Sequence, residues 1–488
     1  MVVQDRLTCP GTWSLRLFNI SPFKVLFFLG VFWSASEARV SWHTSGEYRL
    51  MTYLTDSFRL SDEDVIAKQN WARHRLRLRP EMEVGIVSVH LELDVLTGQV
   101  FGTTHEFGSG ILERRHVDRS NGYDGWTTLE PRLAWMEIKG PLLSLRLGQM
   151  ESRWGMGLQS DVMKWKRPGF VPSMNASWNG DLFDQLEVEF RPLSNIRTDG
   201  WGRFSLTFGV GSVYQDEYAA LLDDGDAYRF STSARLPFDD LEIGVRTQRT
   251  LVTKVDDEVV DYLSTGGFVR WAEPLLALDA MFILESEAVY QSVNVRENST
   301  LSDAPAESFA GYAFAIASEL FGNCPQLGIR LEGGLSSGDG GQSADSVYHM
   351  DPDFKPTVMA LPVIERWLTA NYSRSPAVQA TLSEGARTMM PSDGGLRSMA
   401  YGSIRGAWRY SRLMITSATT LLWRLGALKS VAGTAETLSV GNAGFVGTEW
   451  ATLVMHDLGD ALEPGWRIGA RWASFFPEGV GILSKPIY

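Results

Sequence analysis

The feature that most constrains this chain is a two-residue alternation of apolar and polar side chains, recurring from about residue 40 to the C-terminal region. Val87, Val89, Leu91, Leu93 and Val95 alternate with Ser88, His90, Glu92 and Asp94. Leu241, Ile243 and Val245 alternate with Glu242, Gly244 and Arg246, and Leu327, Ile329 and Leu331 with Gly328, Arg330 and Glu332. Near the end, Trp466, Ile468, Ala470 and Trp472 alternate with Arg467, Gly469 and Arg471. In the most basic segment Arg73, Arg75, Arg77 and Arg79 share one face, with Leu76 and Leu78 on the other. A helical period would put Arg73 and Arg77 beside Leu76 and segregate nothing, whereas a period of two gives a strand with one apolar face.

About 16 to 18 such segments are predicted, a number an outer-membrane barrel commonly uses. They are centred near residues 47, 76, 91, 133, 145, 186, 207, 231, 245, 266, 280, 314, 330, 404, 417, 450 and 470, with a weaker one near 156. Turn residues separate them, as at Gly140-Pro141 and Asp239-Asp240. Alternation alone also suits a soluble sandwich. Strand lengths of ~9–12 residues and aromatic residues at strand ends favour oblique strands crossing a bilayer. In lipid every backbone N–H and C=O must be paired within the protein, so such a sheet has to close on itself. The predicted fold is therefore all-β, a transmembrane antiparallel β-barrel with long extracellular loops. No fixed repeat is visible, which disfavours a propeller.

The N-terminus agrees with export. Arg16 and Lys24 precede the apolar run 25–33, and Ser36 and Ala38 supply small residues at the cleavage positions, so residues 1–38 read as a signal peptide and 39–488 as the barrel. Of the 2 Cys, Cys9 falls in that signal segment, leaving Cys324 with no partner for an internal disulfide. The 488 residues carry 21% charged side chains and a net charge of −13. Frequent charges argue against a multi-helix membrane protein, and the acidic balance against nucleic acid as a partner.

Two segments break the rhythm. Residues 151–180 are rich in Gly, Trp and Pro, with Trp154, Gly155, Gly157, Pro168 and Trp178. Residues 336–396 form the longest loop candidate, with Ile364, Trp367 and Leu368 at helical spacing; a short helix there would lie on the rim or fold into the lumen as a constriction or lid, the alternative being a solvated surface loop.

Several motifs then resemble the alginate-export family of outer-membrane barrels. These are Arg146-Leu147-Gly148-Gln149, Ser337-Gly338-Asp339 followed by the run 350–357, Gly447-Thr448-Glu449-Trp450, and Phe475-Phe476-Pro477. The family's Arg before Gln is replaced here by Gly148, and Trp450 and Ala451 depart from its pattern after the Glu. The resemblance implies an 18-stranded barrel conducting an anionic polysaccharide or another solute outward, without nucleotide or metal cofactor. Outer-membrane lipid and periplasmic export machinery are the partners it implies. A small-solute porin and a non-conducting surface scaffold are the alternatives.

With the apolar face outward, Arg73, Arg75, Arg77, Arg79, Arg146, Arg203, Arg246, Arg330, Arg405, Arg467 and Arg471 are expected to line the pore with Glu449. Glu81, Glu83, Glu92, Asp94, Glu187, Glu189, Glu242 and Glu332 face inward with them. Rings of Arg attract anions and offer two-point contacts to carboxylates. The ladder Arg73–Arg79 is expected to carry a local positive potential, the alternative being pairing with acids across neighbouring strands. The 7 His are scattered, none in an H-E-x-x-H or G-x-S-x-G setting, so no catalytic site is predicted.

Overall fold

The computed structural model describes residues 40–55, 58–59, 65–66, 69–102, 130–152, 154–159, 170–171, 182–196, 200–215, 226–253, 259–296, 307–322, 326–337, 399–425, 444–457 and 467–477. Its main body is one sheet of 17 strands. In chain order these are β1 Val40–Thr55, β2 Gln69–Val84, β3 Val87–Gly102, β4 Glu130–Lys139, β5 Leu143–Glu151, β6 Leu182–Phe190, β7 Ser205–Gln215, β8 Asp226–Pro237 and β9 Leu241–Thr253. They continue as β10 Val259–Leu275, β11 Ala280–Arg296, β12 Glu307–Gly322, β13 Gln326–Ser336, β14 Met399–Tyr410, β15 Leu413–Arg424, β16 Gly444–Asp457 and β17 Arg467–Pro477. A two-stranded ribbon, Phe58–Arg59 with Val65–Ile66, stands apart from them.

Each strand pairs antiparallel with the next, from β1–β2 through to β16–β17. β1 and β17 lie side by side and so bring the sheet round into a barrel. With seventeen alternating strands these two run the same way. Short turns join β2–β3, β4–β5, β8–β9, β10–β11 and β14–β15 at one end; the long connections, including 152–181 and 337–398, lie at the other.

The outward face is what makes the closed sheet a membrane element. Leu147, Phe208, Val210, Phe230, Val245, Val269, Ile316, Ile329, Leu331 and Ile404 all project outward and are exposed. An apolar band of this kind, ~25 Å tall in a membrane barrel, is stable only against lipid. Tyr290 and Tyr312, partners in the β11–β12 ladder, mark its edge on the long-connection side. Trp408 and Tyr410, stacked at 5.9 Å, mark the edge at the short-turn side. Beyond Tyr290 the outward positions turn polar, with Ser292, Asn294 and the Arg249–Asp261 pair, joined by bonds of 2.9 and 2.8 Å.

All seventeen numbered strands coincide with predicted segments. β11 is shifted, spanning Ala280–Arg296 rather than centring on 280, because a 3-10 turn at Leu276–Leu278 ends β10 immediately before it. The weak segment near 156 is not a strand but a turn inside the barrel. The proposed signal peptide and residues 338–398 lie outside the described residues.

Candidate functional site: a loop across the lumen

The connection from β5 to β6 enters the barrel. Its sequence explains why: Gly155, Met156 and Gly157 form a tight turn whose backbone N–H groups converge on one point. Met156, Gly157 and Leu158 each donate to Glu287 Oε2, at 2.6, 2.9 and 3.2 Å. Glu287 projects inward from β11 on the opposite wall. Gly155 has φ +50°, and a Cβ there would lie 2.8 Å from the Glu287 carboxylate, so glycine is required by both conformation and space.

Further anchors follow along the loop. Gln159 Nε2 donates to Ser264 O at 3.2 Å and to its Oγ at 2.9 Å. Farther on, Phe170 N and Val171 N both donate to Glu319 Oε1, the second at 2.8 Å. Phe170 stacks on Phe321 and lies over Gly328, where any Cβ would meet its ring at 2.5 Å. Between the anchors, Met156 and Leu158 pack in one buried cluster with Val289, Ala313, Ala315, Ala317, Met399, Tyr401 and Leu422. Small alanines on β12 make room for the loop. Each buried Met or Leu side chain contributes about 1.5–3 kcal/mol by leaving water. The β11–β15 side of the lumen is thus packed like a core.

Of residues 336–396, expected as a lumen constriction or lid, all but Ser336 and Ser337 lie outside the described residues; among the described residues, 154–159 and 170–171 are the ones that enter the lumen. A run rich in Gly and Trp directly after a strand was the available indication, since glycines free the backbone N–H groups to meet an anion. Nothing in the alternation marked Glu287 or Glu319 as their acceptors.

The open space lies on the other wall. One cavity there, of about 460 Å³, is lined by Ser152 and Trp154 after β5, by Arg146, Arg191, Arg235 and Arg246, by Glu151, Glu187 and Glu189, and by Ser231, Ser233 and Thr207 among others. Trp154 meets Phe268 edge-on at 5.0 Å. The Arg235 guanidinium lies over the Trp154 ring at 4.8 Å, and that of Arg246 at 5.9 Å. Arg246 Nη2 also donates to Ser152 Oγ at 2.9 Å. On the same wall Arg229 sits 4.0 Å over the Phe183 ring and donates to Thr250. Arg229, Arg246 and Arg235 thus descend one wall past the loop, each with its guanidinium over an aromatic ring (a cation–π arrangement that holds the charge in place).

The predicted inward residues divide into groups. Arg77 and Arg79 face the interior but are enclosed by acids. Arg77 bonds Asp94 at 2.6 and 2.8 Å and Glu92 at 3.1 Å; Arg79 bonds Glu92 at 2.6 Å, and Arg132 shares that carboxylate at 3.0 Å. The expected positive potential is corrected at these two positions, because inward acids on β3 face the ladder directly. Arg73 and Arg75 lie on β2 and Arg467 and Arg471 on β17, with side chains outside the described residues.

Arg330 and Arg405 are buried in a second network. Arg330 reaches Glu285, Glu332 and Glu319 at 3.0, 3.1 and 3.3 Å, and Arg405 reaches Glu332 at 3.4 Å. Tyr401 OH donates to the same Glu332. This network backs the loop anchor at Glu319 rather than an open passage. Arg146 lines the cavity but is held by Glu137 and Glu187 at 3.0 and 2.6 Å. Arg203 is not on a strand: it ends the 3-10 turn Gly200–Arg203 at the short-turn rim and bonds Asp239 there. Pro237, Phe238 and Asp239 close the next turn against it, which displaces Arg203 from the lumen. Glu449 faces inward from β16 and is buried. Arg229, Arg235, Trp154, Glu287 and Glu319 escaped the sequence reading.

A barrel of sequentially antiparallel strands, apolar outside and charged within, is an outer-membrane β-barrel. No family model and no curated protein matches the chain. Among solved structures it is similar to OccAB1 of Acinetobacter baumannii, with 11% identity, 91% of this chain and 92% of that one covered, and a TM-score of 0.48. It is also similar to OccK2 (OpdF) of Pseudomonas aeruginosa, with 10% identity, 91% and 94% covered, and a TM-score of 0.46. A BenF-like porin from Pseudomonas fluorescens Pf-5 gives 10% identity, 91% and 95% covered, and a TM-score of 0.48.

Proposed function

We propose that this protein is a passive outer-membrane channel for small anionic organic solutes, without catalytic activity. The observation that carries the reading is the obstructed lumen. Residues 154–159 and 170–171 fill one side, and a cavity of about 460 Å³ beside them has the size of a small-molecule site, ~300–1,000 Å³. Its Arg and hydroxyl groups replace part of a solute's hydration shell, while the lining carboxylates Glu187 and Glu189 are held by Arg146. The line Arg229–Arg246–Arg235 favours anions over cations along the wall.

Polysaccharide export, implied by the alginate-export motifs, fits less well, because a polymer needs a bore that stays open over many residues at once. Of those motifs, Gly338, Asp339 and the run 350–357 lie outside the described residues. Glu449 lies buried on the inner wall. Small-solute passage therefore replaces export as the leading reading.

The test is single-channel recording of the purified full chain in planar bilayers under a KCl gradient. The expected reversal potential is that of an anion-preferring channel, and R235E/R246E shifts it toward cations. A closed, non-conducting barrel, or a reversal potential unmoved by the double substitution, overturns the reading.

A further inference from the structure

Trp154 combines two properties that packing alone does not require. It lines the cavity beside the loop, yet it is only 2% exposed. Its indole Nε1–H is buried with no hydrogen-bond partner among the described residues. An indole placed only to fill space does better as phenylalanine, since a buried donor left unpaired is costly. The ring is held by Phe268 at its edge and by the Arg235 guanidinium over its face. Arg246, also near that face, is bonded to Ser152 two residues earlier in the loop. The indole that carries this donor thus has two guanidinium groups within 6 Å of its ring, Arg235 reaching Glu242 as well at 3.9 Å, and it belongs to the cavity lining.

We propose that Trp154 is the specificity-determining residue of the channel, its Nε1–H donating to an oxyanion or carboxylate oxygen of the solute while Arg235 and Arg246 neutralise the charge. This rests on the channel reading above. A site built to donate a hydrogen bond discriminates strongly against solutes that lack an acceptor, because its own donor is then left unpaired. Chloride, screened by the two cations, passes without needing the indole.

The experiment uses the full chain in planar bilayers, with gluconate added as a concentration-dependent blocker of the KCl current. W154F keeps the ring and its packing but removes the N–H. It is expected to raise the half-blocking gluconate concentration about tenfold, the equivalent of one charge-assisted hydrogen bond, the block being read as a fraction of each variant's own KCl current. W154H, which retains a ring N–H, is expected to recover part of the block. If W154F conducts KCl and is blocked by gluconate as the wild type is, Trp154 is structural and the inference fails while the channel reading stands. Loss of KCl conductance and anion preference in the wild type itself would instead remove the channel reading.

Discussion

Removing the carboxylate of Glu287 is the sharpest test of how the lumen is obstructed. That one oxygen accepts three consecutive backbone N–H groups, at 2.6, 2.9 and 3.2 Å. A hydrogen bond to a charged group contributes about 1.5–3 kcal/mol, and three sharing one oxygen are each at the low end, about 4 kcal/mol together. Burial of Met156 and Leu158 adds about 4 kcal/mol more. Glutamine keeps one neutral acceptor, with bonds about half as strong, so E287Q loses about 2 kcal/mol. E287A loses all 4 and leaves three buried donors, nearly cancelling the apolar packing that remains. Since every 1.4 kcal/mol is tenfold, the 2 kcal/mol between them makes E287A populate loop-out states about thirtyfold more than E287Q, and more once the three unpaired donors are counted. In single-channel records E287A is expected to show frequent openings to a conductance about twice that of the wild type, as the narrowest section widens. E287Q should show rare openings of the same size. If E287A conducts as the wild type does, with the barrel still heat-modifiable on gels, the carboxylate does not hold the loop.

Three further outcomes follow from the same geometry. G155A forces a Cβ against the Glu287 carboxylate at positive φ, and should reproduce the E287A openings in bilayer recordings. R77A leaves Glu92 and Asp94 without their central cation; a broken buried pair costs about 3–5 kcal/mol. The temperature at which the barrel unfolds in heat-modifiability gels should fall clearly, while the reversal potential moves little, the reverse of R235E/R246E. Replacing outward Leu331 with Arg near mid-belt costs about 2–4 kcal/mol in lipid and should lower the yield of folded barrel in refolding assays, whereas Leu331→Val should not.

The strands were legible in the sequence because the lipid-facing side of a barrel is a local constraint. Leu327, Ile329 and Leu331 must be apolar whatever their neighbours are, so the period of two is written along each segment. Seventeen strands, their approximate centres and the inward set Arg77, Arg146, Arg246, Arg330 and Arg405 all follow from that rule. Interior chemistry is not local. Whether Arg77 is a bare charge or a shared partner of Glu92 and Asp94 depends on the register of β2 against β3, which alternation does not encode. Arg203 shows the same limit, since one 3-10 turn takes it from the wall to the rim. The entry of residues 156–158 and 170–171 into the lumen depends on Glu287 and Glu319, more than 125 residues away along the chain. Only the closed barrel brings those carboxylates opposite the loop's N–H groups, because a contact of that sequence separation exists only after every intervening strand has paired.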